Sequence, residues 1–219
     1  MLDQKVPFKI TDLKNAYNFI YSLDKRKLVY LYVKGNSITS IVVHITVYNL
    51  LHLTGLSYYN NFYNSSRFIQ DLRRSKLNIR QLGEKDDGTT RLKLPLLPLL
   101  NYIVFPGVKV SDNRIVLDGH SFESSLLVKK SFSPSSSIML GEDSTNPSQK
   151  FLYPESLYSY QSIGAHTKKK IGNTCNVLSV FSPSDEKRNF MSVYFVKETS
   201  IFNSETILTE IERVNKKVQ

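Results

Sequence analysis

The chain contains four histidines, and one of them, His52, stands in a setting suited to proton transfer. It lies in Leu50-Leu51-His52-Leu53-Thr54-Gly55-Leu56, where four leucines surround a single titratable ring. An imidazole with an unperturbed pKa near ~6.5 can accept and return a proton at neutral pH. The pattern reads as the start or first turn of a helix, and Gly55, three residues on, leaves room for the backbone to come close to a phosphate. The alternative is a buried histidine hydrogen-bonded to backbone. His44 falls in phase within an apolar strand pattern and reads as structural, while His120 and His166 lie in loop-like sequence and read as surface residues.

Other chemistries lack their residues. The single cysteine, Cys175, excludes a disulfide framework and a cysteine-based zinc site. No phosphate-binding glycine loop, dinucleotide fingerprint, H-E-x-x-H or G-x-S-x-G occurs. The pair Asp86-Asp87 sits in a Gly-flanked connector and reads as a solvated turn. Few acids fall in apolar-patterned segments, whereas a two-metal nuclease needs several converging carboxylates. No cofactor is expected.

Charge points to a polyanionic partner. The 219 residues carry 29 Lys and Arg against 19 Asp and Glu, a net +10. Residues 1–110 hold 16 basic and 7 acidic side chains, the remainder 13 and 12, so nearly all the excess is in the first half. Such a field concentrates and steers polyanions. A solvated face selected for solubility would have the same composition.

The elements that must position these residues follow from periodicity. Thr11 can cap a helix running to about Leu23, with Leu13, Tyr17, Ile20 and Leu23 on one face. The runs 28–33 and 38–46, joined through Lys34-Gly35-Asn36-Ser37, read as a β-hairpin. Ser65 or Ser66 can cap a helix over 67–77 whose polar face carries Arg67, Arg73, Arg74 and Lys76, with Arg80 just beyond. A third helix is expected over about 90–102, delayed or kinked by Pro98. Short β-rich pieces recur through the second half, and Ser204 can cap a last helix over 205–218.

The expected fold is α+β: an N-terminal helix, the hairpin and helices packed with an antiparallel sheet from the second half, and a C-terminal helix. We expect a single domain over 1–219, with a possible sub-boundary near 105–115. The apolar stretches 41–56 and 92–105 are interrupted by His, Asn, Lys or Pro, short of the roughly 20 clean residues of a membrane span. The first twelve residues lack a secretory pattern, so a cytoplasmic location without membrane contact is expected.

The hairpin with Lys34-Gly35 followed by Tyr48-Asn49-Leu50-Leu51-His52-Leu53-Thr54-Gly55-Leu56 resembles the F-x-H-L-x-G-L signature of a phage- and mobile-element-associated family. That family is the fourth phage-type subgroup of the barnase–EndoU–colicin–RelE-like nucleases. The basic stretch 67–77, the Arg-led, Leu-rich segment 91–103, Ser124-Ser125-Leu126-Leu127 and the run from Lys150 through Tyr153-Pro154-Glu155-Ser156 to Tyr158 extend the likeness over about 28–200. Where the family carries an Asp in its Leu-Leu strand, this chain has Ser.

The resemblance implies a metal-independent ribonuclease scaffold, helical in front of a four-stranded antiparallel sheet. RNA cleavage by its own 2′-OH needs an acid/base pair and positive charge on the phosphorane. On this reading His52 is the general acid or base, Lys34 contacts phosphate, and Thr54 and Ser156 orient the substrate. Arg67, Arg73, Arg74, Lys76 and Arg80 would guide the backbone of the RNA, and Tyr58, Tyr59, Phe62 and Tyr63 could stack unpaired bases. Local backbone capping is the alternative for Thr54 and Ser156. A reading from another class is a non-catalytic inhibitor from a phage or mobile element that binds a host nucleoprotein complex of nucleic-acid defence through the basic face, in the manner of an anti-CRISPR protein. Lys168-Lys169-Lys170, beside His166, could grip phosphate or form a loop tip.

Overall fold

The computed structural model describes residues 9–23, 26–58, 64–78, 82–85, 88–111, 113–117, 120–129, 134–142, 151–159, 174–183 and 191–218. Helix α1, Ile10–Leu23, forms because Leu13, Ala16, Tyr17, Ile20 and Leu23 recur at helical spacing and are all buried. The hairpin strands β1 (Arg26–Lys34) and β2 (Ser37–Ile45) follow in unbroken register from Lys34 opposite Ser37 to Arg26 opposite Ile45. Gly35 takes φ 60 in the two-residue loop, a conformation for which glycine needs no compensation.

The next segments are short: α2 (Asn49–Thr54), β3 (Leu56–Tyr58), α3 (Ser65–Arg73), β4 (Leu82–Glu84) and α4 (Thr89–Lys93). Strands β3 and β4 pair with each other. The segment expected as a third helix divides into α4 and a 3-10 helix, Leu94–Val104. Pro95 sits at its start and Pro98 inside it, and two missing N–H donors prevent a regular α-helical ladder. Seven of its side chains are buried, so apolar packing holds the turn geometry that backbone hydrogen bonding alone would not.

In the second half come β5 (Lys109–Ser111), β6 (Ile115–Leu117), β7 (His120–Phe122), β8 (Ser124–Lys129), β9 (Pro134–Glu142), β10 (Leu152–Ser159), β11 (Cys175–Ser182) and β12 (Ser192–Val196). The final helix is α5, Ser204–Val218. Eight strands form one sheet in the order β1-β2-β10-β9-β8-β5-β11-β12, and β11 also pairs with β1. Seven strands therefore close into a ring, with β12 continuing along β11 beyond β5. All neighbours are antiparallel except β10 and β2, which meet in parallel at Leu152 and Val43. The fold is α+β as expected, but the sheet is larger than the four antiparallel strands the resemblance implied, and it is mixed. The hairpin is part of it. Both halves of the chain supply strands, and β1 has both its edges paired, one with β2 and the other with β11.

Three apolar layers result. The main one packs Leu28, Tyr30, Val43, Ile45, Leu126 and Leu140 against α1, α2, α3 and the 3-10 helix. On the opposite face of β1 and β11, Val29, Leu31, Leu178 and Phe181 meet Ile207, Ile211 and Val214 of α5. The small hairpin β6–β7 covers Leu127 and Met139 with Ile115 and Phe122. Each fully buried side chain of this size contributes about 1.5–3 kcal/mol by leaving water. Two helix caps differ from the serines expected: Asn64 accepts the Arg67 N–H at 3.0 Å, and Asn203 accepts the Thr206 N–H at 2.9 Å. In both cases an asparagine one residue upstream reaches the third N–H of the helix.

Candidate active site

Helix α2 turns two kinds of side chain in opposite directions. Leu50, Leu53 and Thr54 are buried, while His52 is exposed. Tyr48, immediately before the helix, already has helical dihedrals (φ −68, ψ −21) and is also exposed. Residues four apart share one helix face, so His52 stands one turn from Tyr48 on the solvent side. The four leucines thus anchor the helix beneath the ring and do not enclose it.

Gly55 ends α2 with φ 67 and donates its N–H to the His52 carbonyl. A Cβ at this position would come within 3.2 Å of the Lys93 Cδ and 3.3 Å of the Thr90 backbone. The space that the sequence offered to a phosphate is occupied by α4. The glycine is required for close helix packing. Thr54 is equally committed: its hydroxyl donates to the Leu51 carbonyl at 2.6 Å and accepts the Leu56 N–H at 3.0 Å. Ser156 is buried on β10 beside Met139 of β9, at an irregularity in the pairing.

The remaining expected residues are dispersed. Lys34 is at the turn of the hairpin, and Ile45, which leads toward α2, is at the other end. Eight strand residues separate these ends, roughly 26 Å at the usual rise, so Lys34 and His52 do not share a site. Arg67 is held by Asp71 at 3.1 Å within α3. Arg73, Arg74 and Lys76 are exposed around the end of α3. Arg80, Tyr59, Phe62, Tyr63, His166 and Lys168 to Lys170 lie outside the described residues, as do Asp86 and Asp87; for Tyr58 and His120 the description stops at the backbone.

A cleft of about 490 Å³ opens between α1, the end of β2, the approach to α2 and α3. His44, Thr46, Tyr48, Ser66, Gln70 and Arg73 supply its polar lining, over the apolar side chains of Val47 and Ile69. Tyr17 and Tyr21 line it from α1, their rings stacked at 5.7 Å and 24°. His44 is the residue that sequence reasoning set aside. Its strand phase carried the signal, because Val43 and Ile45 point into the core and His44 between them is left only half-buried.

Arg73 lines the cleft from the last turn of α3, which closes just beyond it. Ser75 adopts φ 54, and the N–H groups of Ser75 and Lys76 return to the carbonyls of Leu72 and Asp71. This is a Schellman closure, and it ends the helix four residues earlier than the sequence pattern implied. Lys14 of α1 donates to the Ser75 hydroxyl at 3.4 Å, which brings a further cation beside Arg73, Arg74 and Lys76. Among the described residues Arg73 forms no ion pair. The strongly perturbed phenol of Tyr30, raised by burial and secondarily by Tyr194, belongs to the core and not to the cleft.

A family model for the phage-Barnase-EndoU-ColicinE5/D-RelE like nuclease4 group matches residues 12–218. The chain belongs to this family. The match runs from the first turn of α1 into the last turn of α5, beyond the span of 28–200 that the motifs covered, and takes in His44, His52 and Arg73. Searches of curated proteins and of solved structures give no match. Membership of a nuclease-like family supports a nuclease-type function with nucleic acid as the substrate. Among the described residues no helix is long and apolar enough to cross a membrane, and no three His, Cys, Asp or Glu side chains gather where they could hold a metal ion.

Proposed function

We propose that this phage-type nuclease is a metal-independent endoribonuclease and that its acid–base chemistry takes place in the cleft between α1, β2 and α3. The observation that carries the proposal is that His44 and Arg73, remote in sequence, line the same cleft. His44 takes the proton from a ribose 2′-OH, and the resulting oxygen attacks the adjacent phosphorus. The O2′–P bond forms as the P–O5′ bond breaks, leaving a 2′,3′-cyclic phosphate and a 5′-hydroxyl. His52, which does not itself line the cleft but stands one turn from its lining residue Tyr48, protonates the departing O5′. The Arg73 guanidinium offsets the charge of the phosphorane, a role that planar paired donors fill well.

The donor set agrees with this chemistry. Among the described residues the cleft lining offers an imidazole, a guanidinium, an amide and hydroxyls but no carboxylate, whereas hard divalent ions in nucleases are held by carboxylates. Lys34, Thr54 and Ser156 have no part in the proposed step.

The test is RNA cleavage in the presence of EDTA. Wild type is expected to yield cyclic-phosphate ends, His44→Ala to lose roughly a hundredfold or more in rate, and His52→Ala to lose rate without loss of thermal stability. Cleavage that requires a divalent ion, or an undiminished rate in His44→Ala, overturns the proposal. A wild-type protein that cuts no RNA and instead binds a host nucleoprotein complex tightly would favour the inhibitor reading.

A further inference from the structure

Among the described residues, Tyr21, 54% exposed, and Tyr48, 53% exposed, are large hydrophobic side chains left in water, and both line the cleft that holds His44 and Arg73. Tyr21 is not a loose side chain. Its ring stacks on Tyr17, which is itself only 8% exposed and part of the main core. One face of Tyr21 is thereby fixed, and much of its ring remains in water. Tyr48 precedes α2 in helical conformation and is held by the turn in which the Asn49 N–H returns to the Thr46 carbonyl at 3.1 Å. A ring held as that of Tyr21 is loses little conformational freedom when a flat ligand covers it.

The polar groups of the cleft suit a nucleotide. Arg73 can engage a phosphate, while Gln70 and Ser66 offer an amide and a hydroxyl of the kind that reads the edge of a base. A volume of about 490 Å³ is in the range of small-ligand sites and accommodates one nucleotide, not a duplex. Bases inside a duplex have both faces covered by their neighbours and cannot present them to protein rings, whereas single strands are recognised by stacking on aromatic side chains.

We infer that the cleft binds one unpaired nucleotide, its base against Tyr21 and Tyr48 and its phosphate at Arg73, so that the substrate is single-stranded RNA. The inference rests on the nuclease reading for the choice of RNA, but binding can be measured without cleavage. The probe is a fluorescent oligoribonucleotide, fully 2′-O-methylated so that it has no attacking hydroxyl, used alone and annealed to its complement. Anisotropy is expected to show the single strand bound roughly tenfold or more tightly than the duplex at the same salt. Tyr21→Ala and Tyr48→Ala should each weaken single-strand binding by roughly fivefold to a hundredfold, in line with the loss of one stacking contact. Tyr21→Phe and Tyr48→Phe, which keep the ring, should bind as wild type does.

Equal affinity for single strand and duplex, or unchanged binding in both alanine variants with unaltered thermal unfolding, overturns the inference. Failure of the nuclease reading looks different: the single-strand preference and its dependence on the two rings persist while wild type leaves unmodified RNA intact.

Discussion

His44, the penultimate residue of β2, and Arg73, the last residue of α3, line one cleft although a helix, a strand and a connector separate them in the chain. On the proposed reading, proton transfer and charge neutralisation meet at this one place. If Arg73 serves the phosphate, Arg73→Ala should reduce kcat/KM by roughly tenfold to a hundredfold at low salt. It should also lower the slope of log affinity against log salt by about 0.7, the amount expected for one lost contact with a single strand. Arg73→Lys should restore the salt slope but only part of the rate, since an ammonium keeps the charge and lacks the paired geometry. Kinetics measured across a salt series check this, and an unchanged slope in Arg73→Ala would remove Arg73 from the site.

Local features were legible in the sequence, and those that depend on termination or on distant pairing were not. The hairpin was readable because a Gly-containing turn joins two β-branched runs, and α5 because its charges match the helix dipole. The closure of the sheet was hidden: the pairings of β1 with β11 and of β2 with β10 join residues far apart in sequence, and no local pattern encodes them. At the site, the sequence around His52 reads as a helix start, whereas the ring stands in the last turn of the short α2, and the leucines around it give no sign that it faces outward. Arg73 was read as one of several cations on a helix face. The helix ends just after it at the left-handed Ser75, and a serine at that position does not announce a helix end as a glycine would.

The motif residue Gly55 should prove structural, and its substitution should be costly for that reason. Alanine at φ 67 meets backbone strain, and its Cβ would press on the Thr90 backbone, which cannot move aside as a side-chain end can. Gly55→Ala should therefore lower stability by about 1–3 kcal/mol, seen as a lower urea midpoint with little change in slope. An unaltered midpoint would mean that α2 and α4 do not pack as closely as described.

Ser75 offers the opposite case, a stabilising change next to the site. Its φ of 54 places a Cβ in the left-handed region, where a non-glycine residue is disfavoured by roughly 1–2 kcal/mol. Ser75→Gly relieves that strain, and the extra freedom of glycine in the unfolded chain returns about 0.4–1 kcal/mol of it. The lost contact from Lys14, at 3.4 Å and exposed, weighs little. A net gain of about 0.5–1 kcal/mol is expected, visible as a higher Tm. Ser75→Ala separates the two contributions, because it removes the hydroxyl and keeps the strain, so it should gain nothing. The Schellman closure that follows Arg73 uses only backbone groups of Ser75 and Lys76, so the cleft should keep its shape and the rate of Ser75→Gly should equal that of wild type. A Ser75→Gly protein no more stable than Ser75→Ala would show that the helix end is not closed through a left-handed residue.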